Sequence, residues 1–361
     1  MPENIRVSVR VRPFSSREVN LNATPTVSMA DQIVTVEDPS AKNSRTFAFD
    51  TLFWSFDSSQ KVATQADVFS QTGNAALQSL WEGYNSTVFA YGQSGSGKTY
   101  TLFGSESHPG LIPLFCKHLF SLFNSLTPSE QKNSSIHVSV LEVYNENIHD
   151  LLNTKNPHQL QVRECRTLGP FVPHLTNLCV KSYEQLSKVI NSSFKNRTTF
   201  GTLLNHESSR SHCVVSISLK KCLDDGSEFT AKTHLVDLAG SERLSKTGAT
   251  GARLKEAANI NKSLLALGNV VAKLCEQAKN PGKNVFVSFR GSVLTRLLSS
   301  ALGGNSKTFL IGTITSSSDD VPETLNTLSF CNRAKQIPVV PKVNKTKEAV
   351  IIEALEKKSR I

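Results

Sequence analysis

Residues able to do chemistry cluster at 205–213, where the chain reads N-H-E-S-S-R-S-H-C. The serines suggest a hydrolase nucleophile, but no G-x-S-x-G turn surrounds them. His206 and His212 are separated by six positions and lack the H-E-x-x-H spacing of a zinc-binding helix. The segment is therefore not a self-contained catalytic cluster, and its partners must lie elsewhere in the chain.

A phosphate-binding loop is predicted at 92–99, which reads G-Q-S-G-S-G-K-T and matches G-x-x-x-x-G-K-[ST]. The apolar run T-V-F-A-Y comes directly before it, and a helix is expected after it. Glycines allow backbone N–H groups to close around phosphate oxygens. Lys98 would reach the β- and γ-phosphates, and the Thr99 hydroxyl would bind Mg²⁺. The loop predicts a nucleoside triphosphate site without defining its purpose.

A second nucleotide motif is predicted at 234–242, which reads H-L-V-D-L-A-G-S-E. Asp237 ends an apolar strand, where an aspartate on the metal side is expected. Gly240 follows three residues later, and its N–H is placed to sense a γ-phosphate. The nearest string to the guanine motif N-K-x-D is N-K-S-L at 261–264, which lacks the aspartate. ATP is therefore the expected nucleotide.

The triphosphate site gives the segment at 205–213 an interpretation. An NTPase needs a mobile loop that senses the γ-phosphate and offers hydroxyls to Mg²⁺ and to the attacking water. The serines of this segment supply those hydroxyls. Arg210 supplies a cation able to pair with a carboxylate, for which Glu242 is the candidate. His212 is expected to be structural or coupled to a partner surface rather than a base.

Alternating strand and helix patterns must position these motifs. Period-2 or continuous apolar runs predict strands at 5–11, 87–91, 137–144, 214–219, 233–236 and 308–313. Helical spacing of apolar residues predicts helices at 62–80, 113–126, 183–191, 251–277 and 292–302. The alternation favours an α/β fold, a layered sheet with helices on both faces.

Composition limits the class of partner. The formal net charge of +10 suits an acidic partner such as nucleic acid, an anionic membrane or an acidic protein surface. Only 7% of residues are aromatic, which disfavours a groove for single-stranded nucleic acid. The seven cysteines show no C-x-x-C spacing, as in a cytoplasmic protein with reduced thiols. No signal peptide is recognised, and no apolar run approaches the roughly 20 residues of a membrane span.

The motifs together resemble those of the kinesin motor domain family. G-Q-S-G-S-G-K-T, N-H-E-S-S-R-S-H and D-L-A-G-S-E are similar to its three nucleotide motifs, in the same order. R-V-R-P at 10–13 resembles its adenine-side motif, and the likeness runs from about residue 4 to 345. The resemblance implies a P-loop NTPase core with a central, mostly parallel mixed β-sheet between helices. It also implies an ATPase that uses ATP with Mg²⁺ and moves along microtubules, toward the plus end.

The resemblance assigns roles position by position. The adenine and ribose would be flanked by Arg10, Arg12, Pro13 and Tyr100. The phosphates and Mg²⁺ would be held by Gln93, Ser94, Gly95, Ser96, Gly97, Lys98 and Thr99. Switch I would comprise Asn205, Ser208, Ser209, Arg210 and Ser211, and switch II Asp237, Gly240 and Glu242. Ser209 would join Thr99 and Asp237 near the metal. The Arg210–Glu242 pair would close around ATP and align a water that passes its proton toward Glu242, without a covalent intermediate.

Basic residues downstream resemble the family's microtubule-binding elements. The segment 244–268 is similar to its track-reading loop and long helix and carries Lys246, Arg253, Lys255 and Lys262. Two further loops contribute Arg163 and Arg166, and Lys279, Lys283, Arg290 and Arg296. The plain alternative for each is a solvated surface charge. As a set they account for the basic balance, because the family's track is acidic.

Three segments favour the kinesin-3 subfamily: V-R-E-C-R-T-L-G-P-F-V (162–172), A-N-I-N-K-S-L (258–264) and S-V-L-T (292–295). Three departures stand out. His206 replaces a usual glutamate, and Gly291 replaces an acidic or amide residue. The segment A-K-N-P-G-K-N (278–284) lacks a polylysine run, which suggests weaker electrostatic tethering to the track.

The C-terminal part resembles a neck linker. The expected division is a motor domain at 1–336, the linker at 337–347 and the start of a neck helix at 348–361. Ile337 and Asn344 match the family's docking isoleucine and latch asparagine. Pro338 and Pro341 have opposite parity along a strand, so one must remove a ladder hydrogen bond. A docked linker is therefore expected to contain a break.

Several alternatives remain open at this point. The ATPase could regulate microtubule ends rather than move along the lattice, or the chain could bind microtubules with weak catalysis. A basic P-loop enzyme acting on nucleic acid would be stimulated by DNA or RNA instead. The motor core is expected to be monomeric, cytoplasmic and bound to the cytoskeleton, with neither nucleic acid nor inserted membrane as partner. Any dimerisation would come from sequence beyond residue 361.

Overall fold

A computed structural model of the chain describes residues 3–165, 169–203, 208–223, 228–242, 252–280, 282 and 285–344. Its strands are β1 (Glu3–Asn4), β2 (Arg6–Arg12), β3 (Val27–Ala30), β4 (Ile33–Asp38), β5 (Asn43–Ala48), β6 (Thr51–Trp54), β7 (Ser86–Tyr91), β8 (Ser135–Tyr144), β9 (Asn147–Asp150), β10 (Arg163–Cys165), β11 (Gly169–Phe171), β12 (Leu178–Val180), β13 (His212–Cys222), β14 (Glu228–Asp237), β15 (Lys307–Thr315) and β16 (Pro338–Val339). Its helices are α1 (Ser16–Asn20), α2 (Gln65–Val68), α3 (Asn74–Trp81), α4 (Lys98–Leu102), α5 (Leu111–Asn124), α6 (Pro128–Asn133), α7 (Tyr183–Leu203), α8 (Ala252–Lys279), α9 (Val293–Leu297) and α10 (Val321–Ala334).

The central sheet has the strand order β12-β8-β13-β14-β7-β15-β2-β6, with β9 paired to β8. Pairing is parallel from β14 through β7, β15 and β2 to β6. It is antiparallel among β12, β8, β9, β13 and β14. The sheet is mixed, as predicted, but parallel pairing occupies one half rather than most of it. The other half is antiparallel because β8–β9 and β13–β14 follow one another as hairpins.

Helices cover both faces of the sheet, which confirms the predicted layers. On one face, apolar side chains of α3, α5 and α7 pack on the sheet, including Leu77, Phe115 and Ile190. On the other face, α8, α9 and α10 contribute side chains such as Leu267 and Leu328. Since burying one such side chain contributes roughly 1.5–3 kcal/mol, these two layers dominate the stability of the fold.

Element boundaries differ from the predictions where local hydrogen bonds decide them. The predicted helix at 62–80 begins only at Gln65, because the Thr64 hydroxyl caps the N–H of Asp67. A π-helical turn at Phe69–Gly73 then divides it into α2 and α3. The predicted helix at 183–191 continues to Leu203 as α7. Its second half has a weaker apolar pattern, and it buries an arginine instead.

The predicted nucleotide motifs converge because β14, β7, β15 and β2 run parallel. In a parallel sheet the carboxyl ends of neighbouring strands meet at one edge, where ligands bind in open α/β folds. The register places Asp237 beside Ala90, and Gly312 beside Tyr91. The 92–99 loop and the 234–242 motif are therefore adjacent in space. Within the described ranges, the helices are all too short or too polar to cross a membrane.

Candidate nucleotide site

The phosphate loop leaves β7 and enters α4 with the open geometry that its glycines predict. Gly95 and Gly97 have φ angles of 72° and 101°, in the left-handed region that disfavours other residues. A Cβ atom at Gly95 would meet no heavy atom within 4 Å, and one at Gly97 only the Cβ of Arg12 at 3.9 Å. The loop is therefore uncrowded at Gly95 and Gly97, on the side that phosphate groups would approach.

Lys98 lies buried at the base of this loop. Its Nζ donates to the carbonyl oxygens of Gly92 and Gln93, at 2.8 and 2.7 Å. Burial lowers the pKa of Lys98 to about 8, although Asp237 and Glu242 act in the opposite direction. The ammonium group is therefore held by neutral carbonyls and is available to a more strongly negative ligand.

The residues predicted to face Mg²⁺ meet at the end of β14. The Thr99 hydroxyl donates to Asp237 Oδ2 at 2.8 Å. Asp237 Oδ1 is buried and accepts no hydrogen bond within the described residues. A hydroxyl oxygen and a partnerless buried carboxylate oxygen are hard oxygen ligands of the kind Mg²⁺ takes. Thr99 and Asp237 thus fit the predicted metal.

Sequence reasoning missed Arg197, an arginine of α7 buried behind the metal side of the site. Its Nη1 donates to Asp237 Oδ2 at 2.7 Å, and its Nη2 to the carbonyl of Ser211 at 3.1 Å. Its Nε lies 3.5 Å from Glu142, which also accepts from the Ser211 hydroxyl at 2.5 Å. Burial disfavours the charge, but Asp237 outweighs it and raises the pKa of Arg197. Ser211, assigned to switch I by resemblance, is thus fixed inside the protein.

The segment predicted to be switch II is folded against the phosphate loop. The Glu242 carboxylate accepts from the backbone N–H of Ser94 at 2.8 Å and from its hydroxyl at 2.5 Å. The N–H of Gly240, expected to sense a γ-phosphate, donates to the carbonyl of Ser209 at 2.8 Å. The predicted Arg210–Glu242 pair remains a prediction for the ATP-bound protein.

The predicted adenine side is built from two arginines with internal partners. Arg10 is buried, and its guanidinium donates to Ser55, Gln65 and Thr101. It also lies 5.4 Å from the ring centroid of Tyr100, which is partly exposed. This geometry therefore favours a role for Arg10 in positioning Tyr100, rather than in direct contact with the adenine.

Arg12 is tied to both its own segment and the phosphate loop. It pairs with Glu18 through two nitrogens at 2.6 and 2.9 Å, and its Nε donates to the carbonyl of Gly95 at 2.5 Å. Burial alone would raise the pKa of Glu18, but hydrogen bonds from Arg12, Thr315 and Ser15 lower it to about 2. The Pro13 carbonyl accepts from Arg12 as well. The R-V-R-P motif therefore braces the loop from the side.

His212 connects the site to α8. Its Nδ1 accepts from the N–H of Ala239 at 2.9 Å, so the ring hydrogen lies on Nε2, which donates to the Ser263 hydroxyl at 2.8 Å. Burial, with Arg197 and Lys98 nearby, lowers the pKa of His212 to about 3. A neutral, doubly bonded imidazole is a structural link and not a base, in agreement with the interpretation of its position.

Several predicted residues lie where the structure says little. Asn205, His206, Arg166, Lys246 and Lys283 fall outside the described residues, as do the side chains of Ser208, Arg253 and Lys255. Exposed side chains at the predicted track-binding positions are Arg163, Lys262, Lys279 and Arg290. Arg296 is partly buried and donates to the carbonyl of Val162 at 2.5 Å, which ties α9 to the segment before β10.

The segment predicted to be the linker packs on the rest of the domain, with a break in its strand pairing. β16 pairs antiparallel with β1 for two residues, and Ile337 before it is fully buried. The ladder then stops, and Val340 N–H donates to Gly304 and Asn344 N–H to Gly83. The interruption predicted from the two prolines is therefore confirmed. The segment 345–361 falls outside the described residues.

A phosphate loop after a parallel strand, with a metal-side aspartate on the next strand, defines the chain as a P-loop NTPase. The sequence model of the kinesin motor domain family matches residues 10–337. The chain is 44% identical over 366 residues to kinesin-like protein KIF13A of Mus musculus and 40% identical over 370 residues to kinesin-like protein KIF1A of Rattus norvegicus. These alignments include 97% and 98% of the chain but only 21% and 22% of the relatives. The chain belongs to the kinesin motor domain family, and its relatives are kinesin-3 members.

Solved structures agree with this assignment. A KIF14 dimer with AMP-PNP, in complex with a microtubule, superposes with a TM-score of 0.89 at 40% identity, over 98% of this chain and all of that one. A fast kinesin superposes with a TM-score of 0.85 at 37% identity, over 95% of this chain and 94% of that one. The chain spans about a fifth of the length of its curated relative KIF13A.

Proposed function

We propose that this chain is a microtubule-stimulated motor ATPase that binds ATP with Mg²⁺ and moves along microtubules toward the plus end. The observation that carries the proposal is the convergence of the open phosphate loop, Lys98 and the Thr99–Asp237 pair at one sheet edge. Family membership supports it, as does the microtubule complex of the KIF14 relative.

The chain's own residues would divide the work of hydrolysis. Lys98 would leave its two carbonyl acceptors for the β- and γ-phosphates, and Thr99, Asp237 and Ser209 would hold Mg²⁺. The metal would supply charge neutralisation to the phosphates. Arg210 would pair with Glu242 once a triphosphate draws switch I and switch II inward. Glu242, released from Ser94, would then orient the attacking water and take its proton, and Gly240 would turn its N–H toward the γ-phosphate.

Basic residues on α8, α9 and the β10–β11 hairpin would bind the track. Exposed Arg163, Lys262, Lys279 and Arg290 lie on these elements or on the loop before α9. Ile337 and Asn344 would dock the linker in the ATP-bound state. The whole protein, longer than this chain if it follows its relatives, would work in the cytoplasm on the cytoskeleton.

The test is the ATPase rate with and without microtubules, for the wild-type chain and for Glu242→Ala. We expect stimulation in the wild type and a rate about a hundredfold lower in the variant, since positioned proton transfer contributes on that order. An unstimulated wild-type rate, or stimulation by RNA or DNA instead, would contradict the proposal. Microtubule gliding and microtubule length, recorded together, separate a motor from an end regulator.

A further inference from the structure

A cavity of about 160 Å³ lies on the α8–α10 face of the sheet, away from the phosphate loop. Its floor is formed by side chains of β8, β13 and β14, including Leu141 and Val214. Its roof is formed by residues 170–177 and by Leu297 and Leu298 at the end of α9. None of its lining residues belongs to the predicted nucleotide or metal sites.

Two nitrogen-bearing side chains of β14 line this cavity. Lys232 and His234 are two positions apart and so face the same side of the strand. The Nδ1 of His234 is bonded to the Ser216 hydroxyl at 2.7 Å. Within the described residues, neither Lys232 Nζ nor His234 Nε2 has a hydrogen bond or an ion pair. If Ser216 donates to Nδ1, the Nε2–H of His234 is left to donate into the cavity.

The titratable side chains that line the cavity are both basic residues. Burial lowers the pKa of Lys232 below its ordinary value, and among the described residues no acidic group counters this effect. The other titratable lining residue is His234, whose pKa is lowered to about 3 by burial and by the neighbouring Lys232. A partly buried cation without a counter-charge is unfavourable, and an anion in the cavity would relieve it.

We propose that this cavity binds a small organic monocarboxylate. The carboxylate would accept hydrogen bonds from Lys232 Nζ and His234 Nε2, in the charge-assisted geometry that makes such bonds strong. A compact apolar group would lie against Leu141, Phe171 and Leu297. The volume sets the size of the ligand, because a cavity of about 150 Å³ holds one benzene ring.

A bound ligand would contact the elements that form the roof of the cavity. Phe171 ends β11, and Leu297 ends α9, so the ligand would touch both elements at once. It would hold the β10–β11 hairpin and α9 against the sheet. This consequence is structural and does not depend on the proposed motor activity.

The test titrates the chain with sodium benzoate, followed by calorimetry or by chemical-shift changes. We expect saturable binding of benzoate and binding about tenfold weaker for the neutral probe benzyl alcohol, since a hydrogen bond to a charged group contributes on that scale. Lys232→Met should weaken benzoate binding to a similar extent. Lys188→Met removes an exposed lysine of α7 on the opposite face and should leave benzoate binding unchanged.

Hydrogen exchange of residues 169–175 supplies an independent readout, and benzoate should slow it. Equal affinity for benzoate and benzyl alcohol, or no saturable binding of either, would overturn the proposal even if Lys232→Met failed to fold. Equal weakening by Lys188→Met and Lys232→Met would overturn it as well, because the effect would then be general charge.

Discussion

Lys98 is a buried cation whose acceptors in this structure are two carbonyl oxygens of its own loop. Its pKa of about 8 means that much of the nucleotide-free protein carries a neutral amine at pH 9. Phosphate groups next to the amine would raise that pKa again. ADP binding should therefore take up about one proton at pH 9 and almost none at pH 7.

Calorimetry of ADP binding in two buffers with different ionisation enthalpies measures this proton uptake directly. Proton uptake, and not release, is expected, because binding raises the pKa of Lys98. The lysine gains a proton only when the pH lies near or above its pKa in the nucleotide-free protein. Equal uptake at pH 7 and pH 9 would show that Lys98 stays charged without nucleotide.

Glu242 occupies the same donors of Ser94 that a bound triphosphate would approach. Removing its carboxylate frees these donors and also removes a negative charge next to the phosphates. Glu242→Ala should therefore bind AMP-PNP at least as tightly as the wild type, although it hydrolyses ATP slowly. Binding of a fluorescent AMP-PNP analogue gives the comparison.

Glu242→Gln serves as the matched control for this prediction. The amide oxygen can still accept from Ser94, so its affinity for AMP-PNP should lie between those of the wild type and Glu242→Ala. A clear loss of affinity in Glu242→Ala would mean that the contact with Ser94 supports the loop rather than competing with nucleotide.

The site residues that sequence reasoning found share one property, which is that they lie in contiguous motifs. Glycines, a lysine and a threonine at fixed spacing predict a phosphate loop because local backbone geometry requires them. Arg197 and Glu142 could not be found this way. They stand 40 and 95 positions before Asp237 and meet it or its neighbours only through the packing of α7 and β8 on the site. No local spacing marks a charged residue that tertiary packing will bury.

At the scale of elements, His212 joins β13 to the segment after β14 and to α8. It can do so only while neutral, because Nδ1 must accept from Ala239. His212 and His234 both have pKa values lowered to about 3, so they stay neutral in the fold while the unfolded chain protonates them below about pH 6.5. Since the unfolded state binds more protons, stability falls as the pH falls from about 6.5 toward 3, by about 2 kcal/mol for each histidine at pH 5.

Urea unfolding at pH 7 and pH 5 measures this loss. His212→Gln should reduce the difference between the two pH values, although its stability at pH 7 will also be lower. His108→Gln replaces an exposed loop histidine and is the control. Glu18 does not affect the comparison, because the stability that its lowered pKa contributes is lost only as the pH falls below about 4.5 toward 2. A wild type equally stable at both pH values would contradict the buried neutral histidines.

Asn305 adds side-chain hydrogen bonds to the predicted linker after its ladder breaks, beside the backbone hydrogen bonds of Val340 and Asn344. Asn305 Oδ1 accepts from the N–H of Lys342 at 2.5 Å, and its Nδ2 donates to Asn344 Oδ1 at 3.0 Å. Asn305→Ala should therefore loosen residues 340–344 while β16 stays paired with β1. Hydrogen exchange should become faster at 340–344 and stay unchanged at 337–339.

Gln336→Ala changes a residue before the break and is the control for Asn305→Ala. Faster exchange across the whole of 337–344 in Asn305→Ala would mean that the predicted linker docks as one unit. Residues 337–339 and 340–344 would then not be held independently of each other. Strand periodicity and proline parity predicted the break itself, because both are local backbone properties. The side-chain brace from Asn305 could not be predicted, since it comes from a loop that meets the linker only in the folded sheet.

At the scale of the whole molecule, the net charge of +10 and the exposed basic residues near α8 and α9 favour an acidic track. The segment 278–284 nevertheless contributes only two lysines, at 279 and 283. We therefore expect modest microtubule affinity that falls gradually between low and physiological salt, as few charges take part. Co-sedimentation over a salt series measures this slope, and tight binding with a steep slope would contradict it.

Adding charge back tests the same argument in the other direction. Asn280→Lys combined with Asn284→Lys should raise microtubule affinity and steepen its salt dependence, because the new charges join the basic loop before α9. Asn191→Lys combined with Ser192→Lys adds the same charge to exposed positions of α7, on the opposite face of the sheet. Beyond about one Debye length, roughly 8 Å at physiological salt, such charges are largely screened from the track. If both double variants gained affinity equally, net charge alone, and not the placement of basic residues around α8 and α9, would govern binding.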